Sequence, residues 1–546
     1  MRSARSVVLA VAAVVSGSLI LAVVIAVGAS VVVAVGITLT VSVTLALPVT
    51  LAVAAAVAAC FVAAAAAAVT LAVALWLSSC AIHPKQYRDR RGAMACCSRL
   101  VVETTTTLLW CVFVALDMLM GLFYYPWRWL RQCRYQQDRA EVSEDVEVPS
   151  QPVNRKTVVI VGGSFGGLTA LKHLADDPGF RVVLIDQREY FEYTPGVLRL
   201  FCDPSLFSTM ARPTPPGTHK FLLGTVTNVA DDHVVVACRD GRTQQVDFDY
   251  LVLAVGADYS KPVTPSAQEH TLAARAATWQ KEAAKVQAAG SILVLGGGAV
   301  GAELAAEIIC HFPQKRVTIV DAYQNLLPLF PRKTGIYAEQ WFRDHGVELV
   351  LGEMLEKWDE SSCTTKSGRV LQADLVYVCF GMRCNSQCAA GGSLAGSLGP
   401  RRDVLVNEFL QVEGQQCVFA VGDVMSHPAG EIKQAYYAEM NGAVAAENIL
   451  HHARGLPLLR YPEAMAGAQI SPLVYVVSLG RYDGSLGFNK LVVNGVLAAI
   501  LKWIVEWTKV RQMEGSPIGM AVWKLGDEVT FALSRNVFPP LAKGQD

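Results

Sequence analysis

Residues 158–174, VVIVGGSFGGLTALKHL, pass from four apolar residues suited to a buried strand, through four glycines, into a helix-like repeat. The chemistry open to such a loop is the holding of a pyrophosphate. A first glycine permits a tight turn, a second lets backbone N–H groups approach the phosphates, and a third lets helix pack on strand. The helix N-terminus adds partial positive charge. Gly162, Ser164 and Gly167 stand at those three places, with Gly166 beside them. A second apolar run, RVVLIDQRE, ends at Asp186, 24 residues beyond Gly162, where a carboxylate can accept hydrogen bonds from ribose hydroxyls. The design then recurs: SILVLGGGAVGAELAAEII is followed by RVTIVDAYQ, giving Gly296, Gly298 and Gly301 with Asp321 25 residues after Gly296. One fingerprint of this kind is weak, because glycines also close ordinary turns. Two copies, each with strand, helix and acid in register, point to two dinucleotide sites. Ser164 adds a Cβ and a hydroxyl where the pattern has its second glycine; it narrows the approach a little and offers a donor to phosphate, without forbidding a dinucleotide.

The elements that must position these loops are two βαβ units in an α/β region that starts near Thr157, after the acidic, proline-bearing linker AEVSEDVEVPSQPVNRK. The 47 basic and 47 acidic side chains cancel, so no nucleic-acid partner is indicated. The 52% apolar content is concentrated at one end: from Val7 to Ile82, 76 residues, no side chain is charged. One membrane span needs about 20 residues, and the apolar region of a cleaved signal only about 7 to 15. The run therefore reads as an all-α membrane region, with three spans favoured among two to four, broken at Gly17, Gly28, Gly36 or Pro48. A further apolar stretch, 107–127, ends in Tyr and Trp and has basic residues on both sides, as a re-entrant hairpin would. The fourteen cysteines show no paired spacing for a metal, and none is assigned. Buried filler is their expected role, with Cys96 and Cys97 placed for acylation as the less favoured reading. Cys384 and Cys388 are not read as a redox pair.

The sequence resembles the two-dinucleotide-binding flavoproteins of the pyridine nucleotide-disulfide oxidoreductase superfamily, in the branch of type II NADH dehydrogenases and apoptosis-inducing-factor-like ferroptosis suppressors. The resemblance covers roughly residues 156–510. It rests on VVIVGGSFGG, DYLVLAVGADY (249–259), VLGGGAVGAELAAEI (294–308), DLVYVCFGMRCNS (374–386) and VFAVGDVMSHPAGEIKQAYYAEMNGAVAAENI (418–449), in the family's order, with VSLGRYDG (477–484) closest to the ferroptosis-suppressor branch. It implies two Rossmann-like domains, the NAD(P)H-binding one inserted in the FAD-binding one. The corresponding boundaries are a membrane anchor at 1–140, a linker at 141–155, and the FAD-binding domain at 156–269 and 386–465. The NAD(P)H-binding domain takes 270–385, and a C-terminal membrane-docking region 466–546. Carried over by motif, Gly162, Ser164, Gly166, Gly167, Asp186 and Asp423 would meet FAD, and Arg199, Gly256, Gly381 and Gly422 are further cofactor-binding candidates. Gly296, Gly298, Gly301 and Asp321 would meet the nicotinamide nucleotide, where the acid at 321 disfavours a 2′-phosphate and so leans toward NADH. Glu303 matches a glutamate near the nicotinamide and Lys433 a lysine beside the flavin; a solvated charge on a helix is the plain alternative for each.

The electron acceptor is the open chemical question. Disulfide reductases of this superfamily set a CxxxxC pair against the flavin, and between residues 175 and 225 this chain has only Cys202. The stretch EYFEYTPGVLRLF is instead aromatic and apolar, resembling the quinone-reducing branch. Residues 488–510, FNKLVVNGVLAAILKWIVEWTKV, carry Trp503 and Trp507 with Lys490, Lys502 and Lys509, which suits a helix lying in a bilayer surface with lysines at its rim and equally a helix packed on the protein's own core; the resemblance, whose members dock by this end of the chain, turns the expectation toward the membrane. The expectation is a membrane-anchored, FAD-dependent NAD(P)H:quinone oxidoreductase facing the cytosol, or alternatively the mitochondrial inner membrane. Lipid and quinone are its partners, and a homodimer is compatible with it. The competing readings are a flavoprotein reductase of a protein electron carrier and a slow-turnover FAD/NADH-binding regulator. The tail after residue 511 has no assignment.

Overall fold

The computed structural model describes residues 155–214 and 219–538, Pro540, and parts of 98–117. The run Val7–Ile82, Cys96, Cys97 and most of 107–127 lie outside the described residues. Among those described, no helix is long and apolar enough to cross a membrane.

The first glycine loop joins the strand Lys156–Val161 to helix α1 (Phe165–Leu174). Val158, Val159 and Ile160 are fully buried, because this strand is inside a sheet flanked on both edges, the environment a continuous apolar run predicts. The sheet has seven strands in the order Val418–Ala420, Tyr250–Leu253, Lys156–Val161, Phe180–Asp186, Lys220–Val229, His233–Cys238 and Thr243–Asp247. The first five run parallel and the last two close it as antiparallel hairpins. Val418–Ala420 pairs with Tyr250–Leu253 although the whole second glycine unit intervenes in sequence.

That second unit follows helix α2 (Leu272–Ala288) and has its own four-stranded parallel sheet, ordered Glu348–Leu351, Arg316–Asp321, Ser291–Leu295, Leu375–Val378. Helix α3 (Ala299–His311) leaves its central strand. The chain enters and leaves the unit through two short strands, Ala257–Asp258 and Arg383–Cys384, which pair antiparallel with each other. Arg275 of α2, fully buried, rivets the entry segment to the first sheet's surroundings. It makes a two-pronged bond to Glu192 at 2.9 Å on each arm, reaches Glu269 at 3.1 Å, and donates to the Pro262 and Val263 carbonyls. The Trp279 indole N–H completes the site on Glu192 at 3.0 Å.

Helix α4 (Arg332–Asp344) covers the second sheet, and α5 (Ala435–Ala453) lies on α1. A Cβ on Gly442 would stand 2.3 Å from the Gly166 carbonyl oxygen, so the α1–α5 approach requires glycine at 442. A three-stranded sheet, Val474–Ser478, Gly484–Phe488 and Leu491–Asn494, precedes α6 (Val496–Met513) and α7 (Pro517–Asn536). The expectation of lysines at a membrane rim is corrected for Lys509: it is 1% exposed and paired with Glu439 of α5. Thr508 and Val510 are buried with it, so this end of α6 packs on the protein.

Candidate functional site

Each glycine loop is built by the same set of bonds. In the first, the Gly162 N–H donates to the Ile185 carbonyl at 2.8 Å, while Asp186 accepts from the Gly163 N–H at 2.5 Å and the Arg188 N–H at 2.8 Å. In the second, Gly296 donates to Val320 at 2.8 Å, while Asp321 accepts from the Gly297 N–H and, at 2.7 Å, from the Tyr323 N–H. Both acids therefore brace the loop that precedes them, a role the ribose assignment did not include; their remaining lone pairs are what a ribose would use. Gly162 and Gly296 have φ of 108° and 115°, the left-handed side that only glycine adopts without strain. A Cβ on Gly167 or on Gly301 would stand 1.8 Å from the carbonyl oxygen of Gly162 or Gly296 respectively.

Ser164 fits this frame. It caps α1 in an extended conformation, φ −112°, and makes no side-chain capping bond, so its hydroxyl is available. At the equivalent Gly298, φ is −71° and an added Cβ would meet nothing within 4 Å. The protein itself thus leaves room for a side chain at this position in both loops, and the substitution at 164 costs the fold little. Each loop offers backbone N–H groups at a helix start, an arrangement suited to a pyrophosphate.

The other motif residues come to the carboxyl edge of the first sheet. Gly422, at φ 73°, donates its N–H to the Asn441 side-chain oxygen of α5 at 3.2 Å and starts a short turn that presents Asp423. The Tyr259 hydroxyl donates to Asp423 at 3.1 Å. Burial pushes the Asp423 carboxyl up, while the Lys433 charge and the Tyr259 bond pull it back. Lys433 is thus within electrostatic reach of Asp423, with its ammonium donating to the Met425 carbonyl. Gly166 brings α1 to 3.1 Å from Val421 and 3.0 Å from the Ala438 carbonyl, measured from an added Cβ. Gly256 and Gly381 follow the strands flanking the two loops, at φ 65° and 82°, with open space where a Cβ would be.

Glu303 is not a solvated charge. It is 8% exposed on α3, and one of its oxygens accepts from the Ser478 N–H at 2.7 Å and the Ser478 hydroxyl at 3.0 Å. Ser478 lies in VSLG, where the sequence showed a family likeness but no role. Arg199 pairs with Glu506 of α6 and faces the Met210 sulfur. It sits in the stretch Thr194–Phe201, where Val197, Leu198, Leu200 and Phe201 are buried. Phe165, the first residue of α1, packs edge-on against Phe191 at 5.2 Å and Tyr193 at 6.1 Å. This aromatic, apolar wall stands beside the first glycine loop. Cys202, Cys384 and Cys388 are free thiols. Cys384 lies in a strand and Cys388 in a separate short turn.

Residues 156–442 match the family described as pyridine nucleotide-disulphide oxidoreductase, and the chain belongs to that family. It is an oxidoreductase of the mixed α/β flavoprotein fold, with FAD and a nicotinamide dinucleotide as its cofactors. Among curated proteins it is similar to mouse ferroptosis suppressor protein 1, 30% identical over 65% of this chain and 96% of that one. It is also similar to Dictyostelium discoideum apoptosis-inducing factor homolog B, 28% identical over 60% of this chain and 89% of the relative. Among solved structures, the sulfide:quinone oxidoreductase of Aquifex aeolicus covers 70% of this chain and 95% of itself, with a TM-score of 0.56 at 17% identity. NDH2 from Plasmodium falciparum in complex with NADH covers 71% and 100%, with a TM-score of 0.54 at 14% identity. At those identities the two structures speak to the fold.

Proposed function

We propose that this chain is a membrane-anchored NAD(P)H:quinone oxidoreductase, oxidising NADH and reducing a lipid-soluble quinone by two electrons. The observation that carries the reading is the wall beside the first loop. Where disulfide reductases of the superfamily set a dithiol, Tyr190, Phe191, Tyr193, Val197 and Leu198 are buried and the nearest cysteine in sequence, Cys202, is free. An apolar wall suits an apolar acceptor and gives a protein or dithiol acceptor no group to exchange with. The Aquifex aeolicus protein of similar fold is by name a sulfide:quinone oxidoreductase, in keeping with the same acceptor class.

In this reading the first loop, with Gly162, Ser164, Gly166, Gly167, Asp186, Gly256, Gly422 and Asp423, holds FAD, which supplies the hydride-accepting and quinone-reducing chemistry. Gly296, Gly298, Gly301, Asp321 and Gly381 hold the nicotinamide nucleotide, NADH being favoured by the acid at 321. Glu303, fixed by Ser478, orients the nicotinamide end. Lys433, beside Asp423, places positive charge where negative charge develops on reduction. Arg199 borders the acceptor side of the wall. The apolar N-terminal run anchors the chain, with the catalytic part on the cytosolic side.

The test uses the full-length protein in detergent. Its visible spectrum is recorded, NADH is added without oxygen, and a short-chain benzoquinone follows. Bleaching by NADH and recovery with quinone is the expected result. A fully flavin-loaded protein that bleaches with NADH and does not recover with any quinone would refute the acceptor assignment while leaving the cofactors in place.

A further inference from the structure

The C-terminal helices bring a set of titratable groups to the α1–α5 layer that the reading above does not use. Lys509 of α6 and Glu439 of α5 are 1% and 7% exposed, and they form a direct ion pair. The Lys509 ammonium also donates to Gln512 at 2.7 Å and lies 4.6 Å from the ring of Trp523 on α7. On the other side it is 5.9 Å from the ring of Phe165, the residue that follows Ser164. Burying two charges costs several kcal/mol each unless they are paired, and an aliphatic pair would pack these helices as well. Such a pair calls for a reason beyond packing.

The surroundings grade from buried to open. Asp527 is half-buried, one helical turn beyond Trp523 and thus on the same face of α7. It is within electrostatic reach of Glu439, Lys509, Lys172 and Glu528. Lys172 of α1, exposed, faces the same group together with Lys524 of α7. From α5, Tyr436 also looks toward Asp527 and Glu439. Lys509 meets the wall through Phe165, which packs on the buried Tyr193 at 6.1 Å, and Glu439 is among the charges acting on Tyr193. A series of groups thus leads from solvent at Asp527, through Lys509 and Glu439, to the wall assigned above to the acceptor.

We propose that Asp527, Lys509 and Glu439 form a proton-uptake path that delivers the solvent proton consumed when the acceptor is reduced, with Asp527 as its entrance. The inference rests on the quinone reading. The overall balance is NADH + H⁺ + quinone → NAD⁺ + quinol: NADH gives up two electrons and one proton as hydride, and the second proton comes from water. In the quinone reading the acceptor lies against the buried wall of Phe191, Tyr193, Val197 and Leu198, and the path carries this proton to it through the chain. Along the path the protonated Glu439 gives its proton to the reduced acceptor and is reprotonated by the Lys509 ammonium, Lys509 takes a proton from the Asp527 carboxyl, and Asp527 is reloaded from solvent. Burial, and then the Glu439 charge, lift the Asp527 carboxyl to about 7, which suits a group that must both bind and release a proton near neutrality. Burial likewise lowers Lys509 and raises Glu439, bringing donor and acceptor toward each other.

The experiment compares two acceptors in the full-length, flavin-loaded protein: a short-chain benzoquinone, which takes up a proton, and ferricyanide, which takes electrons alone. The wild-type ratio of quinone to ferricyanide turnover is expected to decline above about pH 7; for Asp527→Asn the ratio is expected to fall about tenfold or more, to lose that decline, and to recover partly with added imidazole. Asp527→Glu should restore the ratio. Glu439→Gln should lower the ratio likewise; if that variant loses its flavin, Asp527→Asn decides. A wild-type ratio and pH profile in Asp527→Asn, with quinone turnover intact, would overturn the path. Wild-type protein that reduces ferricyanide and no quinone would instead overturn the acceptor reading on which the path depends.

Discussion

Replacing Gly301 by alanine tests the geometry of the second loop directly. A methyl group at this position would stand 1.8 Å from the Gly296 carbonyl oxygen, whereas a carbon and a carbonyl oxygen rest at about 3.3 Å. The first turn of α3 must then retreat by about 1.5 Å, or the Gly296 peptide must rotate. Either movement displaces the N–H groups that form the cradle. Overpacking of this size costs about 1–3 kcal/mol, which as lost NADH affinity is about 5- to 150-fold. The assay is an anaerobic NADH titration followed by flavin bleaching, with flavin content measured beforehand. FAD occupancy should be kept, since Gly301 belongs to the second loop. The companion variant Gly298→Ser copies the residue found at 164. An added Cβ there meets nothing within 4 Å and φ is −71°, so the change should stay within about 0.5 kcal/mol. Wild-type affinity in Gly301→Ala, or a larger loss in Gly298→Ser than in Gly301→Ala, would refute the reasoning about both loops.

Glu192→Ala leaves the fully buried Arg275 without its two-pronged partner; a loss of about 3–5 kcal/mol is expected in denaturant unfolding of the holoprotein, and an unchanged midpoint would count against the rivet. His427 is 9% exposed, and burial lowers its pKa from 6.5 to about 4. As pH falls from about 6.5 to about 4 the unfolded chain binds a proton that the folded one refuses, so stability should fall across that window by about 3 kcal/mol. His427→Gln should flatten that fall, which urea unfolding at several pH values will show. Cys202→Ser should keep NADH–quinone turnover within about twofold, because desolvation holds the half-buried thiol above its ordinary range and it is no thiolate at neutral pH; loss of turnover would revive a thiol acceptor.

The residues that the sequence made legible are those whose contacts stay within one βαβ unit. Gly162, Gly167 and Asp186, like Gly296, Gly301 and Asp321, are bound to one another by the turn that joins strand to helix, so their spacing already contains their geometry. The extended Ser164 shows the same logic from the other side: the position needs neither positive φ nor close approach, and a serine is accepted. The bracing of each loop by its acid was not legible, because the spacing of an acid does not reveal which backbone N–H reaches it first.

What tertiary structure alone decided are the pairings across long separations. Glu303 finds Ser478 175 residues later, Arg275 finds Glu192 83 residues earlier, and Lys509 of a helix expected at the membrane rim turns inward to Glu439. Glu439 left one faint mark in the sequence, a lone acid within the otherwise uncharged AYYAEMNGAVAA. A local pattern sets a backbone conformation because sterics and hydrogen bonding act over a few residues. Which charge meets which depends on how helices from distant parts of the chain pack, and no spacing rule within any one of them contains that information.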